Sequence, residues 1–449
     1  MANTQLSRTI GTATNGKKYT LSFWIKRSAL GVEQSIVGVD SANLIELIKF
    51  GSNDQLYWYN RDNAGNAAEN YTSNVFRDTS AWYHLVFSYD STEGSAANQK
   101  KLYINGVAQT WGSTAAIQAD AIAGTNFATK TFYFGREGGG TSFFLNALMS
   151  HIHYIDGTVY TASNFGSTDS TTGEWKINTS PSVTYGNNGF FILKDGNSVT
   201  DQSGNSNNFT VAGGTLTNTE DNPSNVYATW NPLNRTTSAG IQANGIGNGN
   251  TYLATATSNG TYSFGSTLAL KGTGKFYMEF KVGQQGTYMG VGIAETDAIT
   301  TMLNAGAVGK FSDNAKGWSY KHTGKKENGG SEANYGATYT TYDYIGLAYN
   351  NGTIWFSKNG TWQNSATISE INAGTTTNSA FTGLDTSKDY FIMFDGYNDS
   401  MIEMNAGNGY FRTTEISSPN NPTSGDTGAK FKYTVPTGYQ PLSTKGLNE

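Results

Sequence analysis

Residues 82–107 read Trp82-Tyr83-His84-Leu85-Val86-Phe87-Ser88-Tyr89-Asp90, a polar loop, then Lys101-Leu102-Tyr103-Ile104-Asn105-Gly106-Val107. Tyr83, Leu85, Phe87 and Tyr89 share one side of a period-two pattern; His84, Ser88 and Asp90, with Val86, share the other. That alternation predicts a half-buried antiparallel strand. Leu102 and Ile104 repeat it, and Asn105-Gly106 supplies two residues that tolerate positive φ in a tight turn. The phrase recurs as Tyr344-Ile-Gly-Leu-Ala-Tyr-Asn350, a short Gly turn, then Ile354-Trp-Phe-Ser-Lys-Asn-Gly360. Two related all-β units are expected.

The composition agrees. Gly, at 54 of 449 residues, and 13% aromatics belong to sheets joined by many turns. Only 14% of residues are charged and the net charge is −5, which argues against a nucleic-acid surface or attraction to anionic membranes. There is no cysteine, so neither disulfides nor thiolate metal sites arise. The opening residues hold no apolar signal core, and no stretch is long and apolar enough to span a bilayer. Synthesis in a cytoplasm without membrane insertion is expected.

Proline divides the chain. All seven prolines lie at or beyond Pro181, in the groups Pro181, Pro223, Pro232 and Pro419, Pro422, Pro436, Pro441. Proline lacks a ladder donor and is kept out of central strands. Residues 1–222, with a returning segment at 183–215, are therefore read as one sandwich, 223–415 as a second, and 416–449 as an extended C-terminal tail. Strands are expected at Tyr19–Lys26, Ser35–Val39, Leu44–Phe50, Gln55–Tyr59, Lys130–Phe134 and Leu145–Ile155. In the second block they are expected at Thr261–Phe264, Lys275–Val282, Tyr288–Ala294, Trp318–Lys321, Tyr390–Phe394 and Met401–Asn405. Asn60–Asn74 reads as a polar loop.

Ordered motifs carry a resemblance. Leu6-Ser-Arg-Thr, Tyr19-Thr-Leu-Ser-Phe-Trp-Ile-Lys-Arg27, Trp82-Tyr-His-Leu-Val-Phe87 and Leu102-Tyr-Ile-Asn-Gly-Val107 resemble a laminin-G-like domain of the concanavalin A-like family. Phe165-Gly-Ser-Thr-Asp-Ser-Thr-Thr-Gly-Glu-Trp175 and Asp201-Gln-Ser-Gly-Asn-Ser-Asn-Asn-Phe-Thr210 resemble lectin-like structural proteins of bacteriophages, marine ones especially. Gly274-Lys-Phe-Tyr-Met-Glu-Phe280, Met289-Gly-Val-Gly-Ile-Ala294 and Ile354-Trp-Phe-Ser-Lys-Asn-Gly360 resemble a SPRY-type sandwich. The fold class expected is all-β: two tandem antiparallel sandwiches, jelly-roll or concanavalin A-like and then SPRY-like, with the tail.

The resemblance implies a non-enzymatic bacteriophage virion protein, a tail-fibre or host-attachment component that binds host surface glycan or receptor through sandwich loops. Its partners would be other virion proteins and host carbohydrate, in a homo-oligomer, with a trimer as the guess. The alternatives are a capsid-surface decoration protein and a polysaccharide-degrading enzyme. Glucanases of this fold place two or three carboxylates along one strand. Here Glu279 and Glu403 stand singly, Glu46 has only Lys49 nearby, and Asp395 and Asp399 flank a Gly turn.

For binding, aromatic rings beside polar side chains suit sugars, whose apolar ring faces stack while hydroxyls are hydrogen-bonded. Tyr57, Tyr59, Arg61 and Asp62 fit this description, as do Trp318, Tyr320 and His322 before the loop Thr323–Ser331. For Trp58 and Trp318 the preferred reading is as core residues of edge strands. Lys321, Lys325 and Lys326 read as a solvated loop. His151 and His153 alternate on one strand, so both rings should point one way, as a metal pair would with a third ligand, though two surface or interface histidines are the preferred reading and no metal site is called. No cofactor is called for. The resemblance leaves calcium open at the loop residues Asp40, Asp90, Asp156 and Asp201, with an ordinary turn role preferred.

Overall fold

The computed structural model describes residues 3–40, 45–61, 65–140, 142–194, 198–235, 241–256, 261–299 and 309–448. The chain divides into two units. The first is Met1–Asn218 with Asn222–Ser224, and the second is Thr219–Asp221 with Asn225–Glu449.

Each unit is a sandwich of antiparallel strands. In the first, an eight-stranded sheet runs in the order 111–113, 67–75, 55–61, 45–50, 34–40, 131–134, 5–9, 210–213. A six-stranded sheet runs 190–192, 147–156, 18–27, 83–90, 100–104, 107–108. Inward residues of both sheets, among them Leu21, Phe23, Ile48, Trp58, Leu85, Phe87 and Phe132, make one core. The expected Asn105-Gly106 turn is present at φ 47° and 83°, and Ile104 pairs with Val107 across it.

Two expectations are corrected here. The strand Tyr83–Asp90 is buried on both faces, not one. Its second face is roofed by the excursion 157–185, where Phe165 joins Val86 and Ile155 in a separate apolar layer, with Trp175, Val183 and Tyr185 packed against it. The stretch 60–74 is not one loop, because Ala67–Val75 is a strand. Its inward positions are Ala68, Asn70 and Thr72, all buried. Two of the three are polar, so no apolar alternation marked it.

The second unit repeats the plan with two seven-stranded sheets. One runs 230–235, 262–270, 390–397, 288–295, 317–321, 325–328, 331–334. The other runs 241–247, 252–255, 401–405, 275–284, 344–350, 353–358, 361–362. Its core is built on Trp230, Met278, Phe280, Val291, Ile293, Leu347, Phe356 and Phe394. Pro232 sits in the edge strand Trp230–Arg235, at an irregularity of register, where a missing donor does least harm.

Residues 416–449, expected as an extended tail, form part of the second unit. They make only isolated bridges to other strands, yet Ala429, Phe431, Tyr439 and Leu442 are fully buried. Phe431 lies edge-on to Tyr277 at 5.1 Å. Glu279 anchors the segment. Its carboxylate accepts the backbone N–H groups of Lys432 and Tyr433, each at 2.8 Å, the Tyr277 hydroxyl at 3.0 Å and Asn405 Nδ2 at 3.3 Å. Burial pushes its pKa up to about 7 against the pull of those four donors. Asp426 accepts from Asn225 at 2.6 Å, Tyr227 at 2.8 Å and Ser443 at 3.1 Å, which joins the first and last parts of the unit.

Candidate functional site

The strand Gln55–Arg61 alternates cleanly. Leu56, Trp58 and Asn60 face inward; Tyr57, Tyr59 and Arg61 are half-exposed on the outer face of the eight-stranded sheet. Asp62 lies outside the described residues. In register with Tyr57, the neighbouring strands place Lys49 on one side and Tyr71 on the other. The rings of Tyr57 and Tyr71 are 5.5 Å apart, and Lys49 Nζ stands 5.7 Å from the Tyr57 ring centre. Asn53 Nδ2 donates to the Tyr57 hydroxyl at 2.9 Å. Tyr59 faces Glu69 across the ladder. Half-exposed rings with carboxamide, ammonium and carboxylate neighbours can stack on a sugar and bind its hydroxyls.

Beneath that face lies a polar cluster. Glu46 points inward beside Asn60 and is fully buried, so its expected neighbour Lys49 is on the opposite face and pairs with Glu33 instead. Glu46 accepts from the Tyr19 hydroxyl, Trp58 Nε1 at 3.1 Å and Thr125 N at 3.1 Å. Lys100 is sealed in the same interior, donating to Trp58 O at 2.7 Å and Ala68 O at 3.2 Å, and desolvation lowers its pKa to about 7. These groups fasten the two sheets to each other, and solvent does not reach them.

A shallow cleft borders this cluster, with Asn60, Arg61 and Tyr89 on one side and residues 116–118 and 121–124 on the other. Asn60 is only 7% exposed, and neither Oδ1 nor Nδ2 has a hydrogen-bond partner.

In the second unit the expected trio does not form a surface. Tyr320 is core: it is fully buried, its hydroxyl donates to Ala337 O, and Tyr335, Tyr339 and Phe356 ring it within 5.5 Å. Trp318 is half-buried against the same core, edge-on to Tyr390 at 5.8 Å. His322 is half-buried, accepts Met289 N at 3.2 Å through Nδ1, and burial lowers its pKa. The loop lysines are not simply solvated. Lys321 is 5% exposed and pairs with Glu327 and Glu332, Lys325 pairs with Glu332 at 2.8 Å, and Lys326 donates to Ala380 O. The segment 323–331 contains the strand Lys325–Asn328 and turns into a second, Ser331–Asn334.

The histidine pair is also separated. A register shift falls between Ser150 and His153, and His151 takes φ 49°. His153 is buried, stacked on Phe191 at 3.9 Å, while His151 stays half-exposed. Among the described residues no group of three metal-ligating side chains converges. Asp90, Asp156 and Asp201 are turn acceptors. Asp90 takes Thr92 and Lys18; Asp156 takes the N–H groups of Thr14, Asn15 and Asn188; Asp201 takes those of Phe191, Ser203 and Asn207. The Asp40 side chain lies outside the described set.

Residues 3–163 match the laminin G model of the concanavalin A-like lectin/glucanases superfamily. No curated protein matches the chain. Among solved structures, the SPRY domain of human HERC1 is similar at 16% identity, over 39% of this chain and 96% of that one, with a TM-score of 0.28. The native heptameric SAP-like pentraxin from Limulus polyphemus is similar at 15% identity, over 36% and 74%, with a TM-score of 0.28. Domains LG4-5 of the mouse laminin alpha1 chain are similar at 9% identity, over 90% and 86%, with a TM-score of 0.30.

In the first unit, sequence reasoning placed Tyr57 and Tyr59 together but missed Tyr71 and Lys49 beside them. Tyr71 was hidden because its strand read as a loop. Asn60 carried a usable signal: it sits in the inward phase of Leu56 and Trp58, where an amide needs a partner.

Proposed function

We propose that this chain is a non-catalytic component of a bacteriophage virion, in a tail fibre or another host-attachment part, that holds host surface glycan. The observation that carries the reading is the outward tyrosine face of Tyr57, Tyr59 and Tyr71 with Lys49. Its neighbours, Asn53 on the Tyr57 hydroxyl and Glu69 across from Tyr59, are groups that recognise hydroxyls. The interior carboxylates Glu46, Glu279, Asp54 and Asp395 are each engaged by several donors, which supports scaffold roles for them. A weak single site gains from repetition, so a homo-oligomer, trimeric in this proposal, would multiply it. Other virion proteins would be its assembly partners.

The test is a glycan array probed with the full chain and with Tyr57→Ala and Tyr71→Ala. Retention of a defined glycan class, lost at least tenfold in both variants, is the expected result. Immunogold labelling of particles should mark the tail. No retention on the array, together with label over the capsid, would replace this reading by that of a capsid decoration protein. Release of reducing sugar from host polysaccharide would replace it by an enzyme.

A further inference from the structure

Lys100 is in phase with the core residue Leu102 and reaches across the first sandwich to the opposite sheet. Its Nζ donates to Trp58 O at 2.7 Å and Ala68 O at 3.2 Å. Those carbonyls belong to the peptides leading into Tyr59 and Glu69, which face each other across the ladder. Trp58 is opposite Asn70 and Asn60 opposite Ala68, so four inward Cβ atoms mark a rectangle of roughly 5 by 7 Å with the Nζ over its middle. The amine therefore sits beside the Asn60 side chain, and neither polar atom of that buried carboxamide has a hydrogen-bond partner. On the other side of Asn60, directly across the ladder, stands the buried carboxylate of Glu46. Tyr19, Trp58, Tyr89 and Trp111 surround the group with aromatic rings. A buried lysine that forms no ion pair with a described residue and a buried amide left unpaired are each costly. One covalent step removes both costs.

We propose that Lys100 and Asn60 join in an intramolecular isopeptide bond, with Glu46 carrying the proton between the two nitrogens. The lone pair of the neutral amine attacks Asn60 Cγ, and an Nζ–Cγ bond forms. The Cγ–Nδ2 bond breaks, and Nδ2 leaves with the proton that Nζ gives up. The products are a secondary amide and ammonia, with no oxidation or reduction. Desolvation, which brings the Lys100 pKa to about 7, leaves much of the amine neutral at physiological pH, as attack requires. The same dry interior keeps water from competing for Cγ. Ammonia matches the water-sized space in the shallow cleft against Asn60, which gives it a way out. Asn70 is the poorer acceptor, because its Oδ1 already takes Ala115 N at 3.4 Å and it stands one strand further from Glu46. The bond ties the strand Gln55–Arg61 of one sheet to Lys100–Ile104 of the other, so the two sheets stay joined when the core is opened.

The experiment measures the intact mass of the full chain, incubated folded at neutral pH and then denatured. With the N-terminal methionine allowed for, the mass should fall short of the sequence mass by one ammonia, about 17 Da. Trypsin should release a branched peptide that joins 50–61 to 78–101, uncut at Lys100. Lys100→Met and Asn60→Ala should each keep the full mass. Glu46→Gln, folded by circular dichroism, should form the bond at least about tenfold more slowly. The wild-type mass needs no variant, so a substitution that fails to fold leaves the test intact. A wild-type chain at its full sequence mass, cut at Lys100 once denatured, overturns the proposal. A branch mapped to Asn70 overturns the choice of Asn60, and bond formation at the wild-type rate in folded Glu46→Gln overturns the role of Glu46.

Discussion

The indole N–H of Trp175 donates to Nδ1 of His84 at 3.0 Å. With Nδ1 accepting, the ring's proton sits on Nε2, 2.9 Å from Ser22 Oγ, and the imidazole is held neutral between Trp24 and Trp175. Desolvation lowers the His84 pKa from 6.5 to about 3, and burial also drives His153 well below its ordinary value.

Acid should therefore loosen the first unit before its carboxylates titrate. The unfolded chain takes up a proton at His84 near pH 6.5, whereas the folded chain does so only near pH 3. Stability is full above pH 6.5 and falls through that window by about 1.4 kcal/mol per pH unit. At pH 4.5 the loss from His84 alone is about 3 kcal/mol. Urea unfolding followed by tryptophan fluorescence at pH 7 and 4.5 checks this; a first-unit midpoint that does not move would refute it.

A second prediction concerns Arg27, whose side chain is fully buried over Phe50 at 4.1 Å. Its Nη2 lies 3.1 Å from Asp54, which also accepts Arg77 Nε at 2.9 Å and Gly31 N at 2.8 Å. Burial pulls the Asp54 carboxyl up, but Gly31, Arg77 and Arg27 together hold it below its ordinary value. Asp54→Asn keeps the shape and the left-handed backbone at φ 65° but strands the guanidinium. The expected loss is about 3 kcal/mol, read by chemical denaturation. Adding Arg27→Met should recover much of it, since it removes the stranded charge.

Glu279→Gln is the test of the C-terminal anchor. The new amide turns an N–H₂ toward donors that need an acceptor, at an expected loss of about 2–4 kcal/mol. Limited trypsin digestion with mass spectrometry should then cut after Lys430 and Lys432, in a segment the parent chain protects. Equal protection in both proteins would show that packing of Phe431 and Tyr439 holds the segment without Glu279.

Tyr342 presents the opposite case. It is 71% exposed, yet its backbone is left-handed at φ 71° with its N–H on Val282 O at 2.7 Å. Tyr342→Asn should raise the stability of the second unit by about 1 kcal/mol, seen as a higher thermal midpoint. A lower midpoint would mean that the ring contributes packing its exposure does not suggest.

The strands were legible wherever inward residues were apolar, as in Tyr19–Lys26 and Lys275–Val282. Legibility failed where the interior is polar. Asn70 and Thr72 disguised a strand, and Glu46, read only as having Lys49 nearby, faces the interior away from it. It failed again where a second layer covers a sheet, because alternation in Tyr83–Asp90 cannot announce the roof that buries His84. The bulge after Ser150 had no local signature, and it alone separates His151 from His153.

The first and last strands of the first unit are neighbours. Gln5 opens the strand that pairs with Thr210–Gly213, and Gly213, at the end of the latter, stands opposite Gln5. The first strand of the unit and its last thus lie about 5 Å apart. A unit with adjoining ends can be gained, lost or exchanged as a single cassette without prising open the polypeptide that carries it.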